Sequence, residues 1–167
     1  MTPIGTVHMV YGPQGAGKST FSGRLTGRIG AVSFSIDDWI QALFIPDLPE
    51  QMSLEWVLAR TQRCEQAIWT VCIQILGLGD DVVLDLGLMQ RADRQRIKMR
   101  AQSVGCAVRS YFIDAEQAIR RQRVLARNAE QGETFSFPVT PAMFEFMETI
   151  YEVPDDSERR QSELLEA

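Results

Sequence analysis

The chain has 167 residues, of which 45% are hydrophobic and 23% charged, as expected for an ordinary globular protein. Its formal net charge of −5 disfavours a general nucleic-acid binder, because a negative surface repels a phosphate backbone. There is no apolar stretch of membrane-spanning length, no signal-peptide pattern, and no disulfide or metal spacing among the three cysteines. We therefore expect one domain over residues 1–167, cytoplasmic, with reduced and mostly buried thiols.

Short apolar segments alternate with amphipathic ones along the chain. Strands are predicted over 6–11, 31–36, 81–86 and 107–113. Helices are predicted over 18–28, 53–76, 91–104, 115–131 and 141–151. The alternation predicts an α/β fold in which helices cover both faces of a parallel sheet.

Two segments lack a regular pattern. A loop with strong turn residues follows the second strand and contains Pro46, Asp47, Pro49 and Glu50. From about residue 155 the chain is polar, and we expect a tail that frays at its end.

The pattern G-x-x-x-x-G-K-[ST], a phosphate-binding loop, is complete and lies between an apolar strand and a helix. Glycines in such a loop let successive backbone N–H groups point inward at phosphate oxygens, and the helix N-terminus adds partial positive charge. Lys18 is expected to reach the β- and γ-phosphates, and the Ser19 hydroxyl to bind Mg²⁺. The predicted nucleotide-binding residues are Gly12, Pro13, Gln14, Gly15, Ala16, Gly17, Lys18, Ser19 and Thr20.

Acidic residues follow two of the predicted strands, at the sheet edge where ligands of α/β proteins bind. Asp37 is our candidate for the base that accepts a proton from a substrate hydroxyl, and both Asp37 and Asp38 are expected to contact substrate. The alternative is that the pair, or Asp38 alone, caps the next helix. Asp85 ends the run Val82–Leu84 and is expected to hold Mg²⁺, to contact substrate, or merely to cap the following turn.

Arginines crowd the fourth predicted helix at positions 120, 121, 123 and 127. Arginines often neutralise charge on a transferred phosphoryl group, although a charged helix face is more often simply solvated. We select Arg123 and Arg127 as catalytic candidates. Trp39, with Phe44 and Trp56, is expected to line a substrate pocket beside Asp37.

Four segments in this order resemble a known group of enzymes: GPQGAGKS (12–19), SFSIDDW (33–39), VVLDLG (82–87) and RQRVLARN (121–128). The group is that of the small P-loop kinase-like ATPases, which includes zeta toxins, polynucleotide 5′-kinases, chloramphenicol phosphotransferase and bacterial predicted kinases. The resemblance covers residues 6 to about 158.

The resemblance implies a P-loop NTPase fold, three-layered α/β/α, with a parallel sheet of order 2-3-1-4-5. It also implies that Lys18 and Ser19 bind ATP and Mg²⁺, that Asp37 is the base, and that Arg123 and Arg127 are lid arginines.

The chain departs from this group in two places. Relatives often carry an arginine three residues after the base, where this chain has Ile40, and this weakens the case for a polynucleotide or phosphorylated substrate. Relatives also end with a fifth strand, whereas the segment after Pro154 is too polar for a buried strand. We therefore expect four strands, or an irregular fifth over 134–139.

The function favoured by these features is an ATP- and Mg²⁺-dependent phosphotransferase acting on a hydroxyl of a small molecule, such as an antibiotic or a metabolite. The alternative is a nucleotide-dependent ATPase or switch without such an acceptor, although no residue is clearly placed to orient water. A polynucleotide 5′-kinase or a zeta-type toxin kinase is less favoured. The acceptor itself is not identified, and its specificity is expected to lie in segment 39–56.

Overall fold

The computed structural model describes residues 4–47, 53–130 and 138–166. Within these ranges five strands form one parallel sheet: β1 (Val7–Tyr11), β2 (Val32–Ser35), β3 (Val82–Asp85), β4 (Val108–Asp114) and β5 (Ser162–Glu166). Their order across the sheet is β2-β3-β1-β4-β5, which confirms the predicted α/β class and strand order.

Helices connect and cover the strands. In the described part of the chain they are α1 (Lys18–Ile29), α2 (Ile36–Phe44), α3 (Leu54–Gly77), α4 (Arg91–Ser103), α5 (Gln117–Glu130), α6 (Pro141–Ile150) and α7 (Asp156–Arg160), with a short 3-10 helix at Ile45–Asp47. No helix within these ranges is long and apolar enough to cross a membrane.

β1 and β3 are buried on both faces. Successive side chains of a strand point to opposite faces of the sheet, so neighbouring residues pack in different clusters. Met9 packs in the cluster that contains Ile68 of α3 and Ile97 of α4. Its neighbour Val10 packs in a second cluster, which contains Leu25 of α1. Two helix layers therefore enclose the sheet and fix the edge at which β1 and β3 end.

The second strand is shorter than predicted. β2 ends at Ser35, and α2 starts at Ile36, so Asp37 and Asp38 lie in the first turn of a helix. The cap of this helix is Ser35, whose Oγ accepts a hydrogen bond from the Asp38 backbone N–H at 3.2 Å, so the expectation that Asp38 caps the helix is wrong.

The turn-rich loop predicted after β2 is largely helical. α2 runs to Phe44, and Pro46 and Asp47 belong to the 3-10 helix that follows it. Pro49 and Glu50 lie outside the described residues.

The polar C-terminal segment is folded, which contradicts the predicted frayed tail. It forms α7 and then β5, the fifth strand, instead of the irregular strand expected over 134–139. Of that range, 134–137 lies outside the described residues. A polar sequence can form β5 because this strand lies at the sheet edge, pairs only with β4, and leaves residues such as Glu163 exposed.

A buried ion pair anchors this segment to the rest of the protein. Arg94 of α4 is fully buried and donates from Nε and Nη2 to the two carboxylate oxygens of Glu158, at 2.8 and 3.0 Å. The hydroxyl groups of Tyr11 and Ser162 lie 2.9 Å apart and form a second link. Since removing one partner of a buried pair leaves an uncompensated charge, the C-terminal segment should be important for stability.

Glu158→Gln should lower the free energy of unfolding by about 3–5 kcal/mol, because the guanidinium of Arg94 would stay buried without a counter-charge. Denaturant titration measures the change. The matched control is Arg91→Gln, which breaks the exposed pair between Arg91 and Asp155 and should cost less than about 1 kcal/mol. Equal effects of the two substitutions would contradict the anchoring role.

Candidate functional site

The turn from Gly12 to Gly17 joins the end of β1 to the start of α1. Gly15 and Gly17 have φ angles of 78° and 99°, in the left-handed region that glycine adopts without strain. A Cβ atom on Gly15 would also lie 2.6 Å from the carbonyl oxygen of Arg120, so a larger residue fits neither the backbone angle nor the space. The sequence forms this tight turn because glycine occupies these positions.

The turn borders a cleft of about 320 Å³. Most of the predicted site residues line it: six of the seven residues in 14–20, together with Asp37, Asp85, Arg123 and Arg127. The remaining predicted turn residues, Gly12, Pro13 and Ala16, are buried. They form the back of the turn.

Lys18, the first residue of α1, folds its side chain back over the turn. Its Nζ donates a hydrogen bond to the carbonyl oxygen of Pro13 at 3.0 Å. Burial of the ammonium group lowers the pKa of Lys18, while the nearby carboxylates of Asp85 and Asp37 act in the opposite direction. The ammonium group of Lys18 therefore lies close to the carboxylates of Asp37 and Asp85.

Ser19 and Asp85 bring a hydroxyl and a carboxylate together. The Ser19 Oγ donates to Asp85 Oδ2 at 3.0 Å, and Asp85 is buried as the last residue of β3. Burial raises the pKa of Asp85, and the charge of Lys18 and the hydrogen bond from Ser19 oppose that rise.

These two groups fit a magnesium ion. Mg²⁺ prefers oxygen ligands and is commonly held by one or two protein groups together with substrate phosphates. Among the described residues no cluster of three or more His, Cys, Asp or Glu side chains could hold a metal by itself. The pair of Ser19 and Asp85 is therefore suited to an ion that enters with a phosphate ligand.

The two acidic residues of α2 face different clefts. Asp37 lines the cleft of the turn, whereas Asp38 lines a second, polar cleft with Ser22 and Ser35. Asp85 borders both clefts. The side chain of Asp37 remains open to solvent, but the protein atoms around it displace enough water to raise the pKa of its carboxyl, and the charge of Asp85 acts in the same direction.

The arginines of α5 divide into two kinds. Arg123 and Arg127, the two catalytic candidates, line the cleft. Arg120 is buried and ion-paired with Glu148 of α6. Arg123 and Arg127 therefore supply positive charge to the cleft that the glycine turn borders.

The aromatic residues expected around the substrate pack elsewhere. Trp39 lies 6.3 Å from Phe34, ring centre to ring centre, and is not among the described residues that line either cleft. Phe44 and Trp56 pack edge to face, with the guanidinium of Arg60 4.0 Å from the Trp56 ring centre. The sequence could not show this, because the contact between Phe44 of α2 and Trp56 of α3 joins two different helices.

Several cleft residues were missed in the sequence. Gly87 follows β3, with a φ of 81°, and its place directly after the strand that ends in Asp85 was the signal that could have identified it. Asn128 and Met147 also line the cleft. Asn128 exchanges two hydrogen bonds with the backbone of Val139, at 2.7 and 2.9 Å, a long-range pairing without a sequence signature.

Solved structures share this fold at low sequence identity. Kti12 of Chaetomium thermophilum, solved with ADP-AlF3, is 18% identical with a TM-score of 0.69, over 96% of this chain and 88% of that one. The APS kinase CysC of Mycobacterium tuberculosis, solved with AMPPNP and APS, is 17% identical with a TM-score of 0.61, over 98% and 89%. A gluconokinase of Sinorhizobium meliloti is 15% identical with a TM-score of 0.58, over 98% and 83%. The chain therefore has the fold of the P-loop kinases.

The family described as an AAA domain, AAA_33, matches residues 7–152, and the chain belongs to this family. A search of curated protein sequences gave no match.

Lys18→Ala should weaken binding of Mg-ADP at least tenfold, because it removes the ammonium group that lies over the glycine turn. Calorimetric titration measures the affinity, and thermal unfolding checks that the variant is folded. Lys98→Ala is the matched control, since Lys98 is the only other lysine in the sequence and lies on α4, where its Nζ bonds to Gln161. Unchanged ADP affinity in Lys18→Ala would contradict the phosphate-binding interpretation.

Proposed function

We propose that this protein is an ATP- and Mg²⁺-dependent phosphotransferase that transfers the γ-phosphoryl group to a hydroxyl of a small molecule, such as an antibiotic or a metabolite. The observation that carries the proposal is the composition of one cleft. It combines the glycine turn and Lys18, the contact between Ser19 and Asp85, the carboxylate of Asp37, and the arginines of α5.

Each part of the cleft suits one requirement of phosphoryl transfer. Backbone N–H groups of residues 14–19 would hold the phosphates at the start of α1, where the helix dipole favours negative charge. Lys18 would leave the Pro13 carbonyl and bond to phosphate oxygens. Ser19 and Asp85 would hold Mg²⁺, and the bound ion would neutralise charge on the phosphates.

Asp37 is the proposed base. A carboxylate that lines the phosphate cleft can accept the proton of a substrate hydroxyl and aim its oxygen at the γ-phosphorus. The neighbouring carboxylates are proposed to contact the acceptor: Asp38 from the second cleft and Asp85 from the border between the two clefts. Trp39, whose ring packs against Phe34, stays a proposed substrate residue.

Arg123 and Arg127, which line the same cleft, would neutralise charge on the transferring phosphoryl group. Two of the similar structures support a kinase, since one is an APS kinase and another a gluconokinase. They do not identify the acceptor of this protein.

The first experiment is ATP consumption by the pure protein with Mg²⁺ against a panel of hydroxylated antibiotics, nucleosides and sugars. Mass spectrometry detects an acceptor that gains one phosphate, which is the expected result. Tight ATP binding, with only slow hydrolysis and no phosphorylated product across such panels, would overturn the phosphotransferase and favour a nucleotide-dependent switch.

Asp37→Asn should reduce phosphoryl transfer by about 10²–10⁴-fold while ATP affinity is kept, because the amide cannot accept the hydroxyl proton. Steady-state rates with the identified acceptor and a separate ATP-binding titration measure the two effects. Asp47→Asn is the control, since Asp47 lies in the exposed 3-10 helix after α2. Retention of the full rate in Asp37→Asn would remove Asp37 as the base.

Arg123→Gln and Arg127→Gln should each lower kcat more than tenfold with a smaller effect on the KM for ATP, because charge on the transferring group is greatest in the transition state. The control on the same helix is Arg121→Gln, whose side chain pairs with Glu145 of α6 instead of lining the cleft. If all three variants behave alike, the two cleft arginines have no special role.

A further inference from the structure

Arg120 connects three separate parts of the protein. Its Nη1 donates to the carbonyl oxygen of Gln14 in the glycine turn at 3.1 Å. The same guanidinium pairs with both carboxylate oxygens of Glu148 on α6, at 2.6 and 2.9 Å, and its Nε donates to the carbonyl oxygen of Ala115 at 2.9 Å. The side chain of Arg120 is almost fully buried, so each of these bonds is shielded from water.

The bond to Gln14 has a consequence for the next residue. In a planar trans peptide the C=O of one residue and the N–H of the following residue point in opposite directions. Because Arg120 holds the Gln14 carbonyl on the α5 side of the turn, the N–H of Gly15 points away from α5. Gly15 lines the cleft, so an N–H with this orientation is available to a phosphate oxygen that binds there.

The backbone of Arg120 also packs against the turn, at Gly15. Its carbonyl oxygen occupies the space in which a Gly15 side chain would lie, so α5 packs directly on the turn. Arg123 and Arg127, on this helix, are thereby held against the cleft. One residue thus fixes both the turn and the helix that faces it.

We propose that Arg120 is a positioning residue, which orients the Gly15 N–H for phosphate binding and is itself oriented by Glu148 of α6. This inference rests on the nucleotide site of the proposed function, but not on the identity of the acceptor. Through Glu148, the docking of α6 sets the affinity of the glycine turn for phosphate.

The competing explanation is that the pair of Arg120 and Glu148 only holds α5 against α6. The two explanations differ in a double variant, Arg120→Met with Glu148→Met. An apolar pair of similar size often replaces a buried ion pair at little cost in stability, so this variant should stay folded. It has no donor for the Gln14 carbonyl.

The test compares Mg-ADP affinity by calorimetric titration with the thermal unfolding midpoint of each variant. The double variant should unfold within a few degrees of the wild type yet bind Mg-ADP about 10- to 100-fold more weakly, as expected for loss of a charge-assisted hydrogen bond. Arg120→Lys should recover part of the affinity, because an ammonium group still donates to a carbonyl oxygen but cannot pair with Glu148 in two places.

Arg121→Met is the matched control, because it removes an α5–α6 ion pair, with Glu145, that does not contact the turn. It should leave Mg-ADP affinity unchanged. Wild-type affinity in the double variant would overturn the positioning role and leave a structural pair. Failure of the wild type itself to bind Mg-ADP would overturn the nucleotide site, whereas absence of a phosphorylated acceptor would affect only the proposed reaction.

Discussion

The parallel pairing of β1 with β3 is the constraint on which the rest of the site depends. Val7, His8 and Met9 lie opposite Val82, Val83 and Leu84, so both strands end at the same edge of the sheet. The glycine turn leaves that edge from β1, and β3 ends there with Asp85. The 3.0 Å contact between Ser19 and Asp85, which lie 66 residues apart in the sequence, follows from this register.

The charged groups of the cleft have opposite signs and lie close together. Burial disfavours the charged forms of Lys18 and Asp85, and their mutual attraction restores part of what desolvation removes. Asp37 adds a second carboxylate, while the arginines of α5 add positive charge. Such an arrangement suits a ligand that brings several negative charges and a divalent cation, since each would find a partner already in position.

Local patterns predicted the parts of the protein that depend on few neighbours. The glycine turn, the central strands and the ends of most helices follow from residue types that are adjacent in sequence, and the strand order followed from the resemblance. The position of Asp85 at the end of a strand was predictable for the same reason, because this residue ends a continuous apolar run.

The remaining features depend on contacts between distant segments. β5 has a polar sequence because it lies at the sheet edge, and only its pairing with β4 identifies it as a strand. Arg120 differs from the cleft arginines of α5 because it pairs with Glu148, which lies 28 residues later and on another helix. The packing of Trp39 against Phe34, and of Trp56 against Phe44, depends on α2, a helix that the turn-rich sequence did not predict.

The buried pair of Arg94 and Glu158 also affects the order in which the chain can pack while it is being synthesised. Its two members are separated by 64 residues, so Arg94 leaves the ribosome first. At a synthesis rate of about 5–20 residues per second, roughly 3 to 13 seconds pass before Glu158 is made. Throughout that interval α4 carries a guanidinium that cannot be buried without its counter-charge. Full packing of Arg94 is therefore expected to follow the synthesis of Glu158.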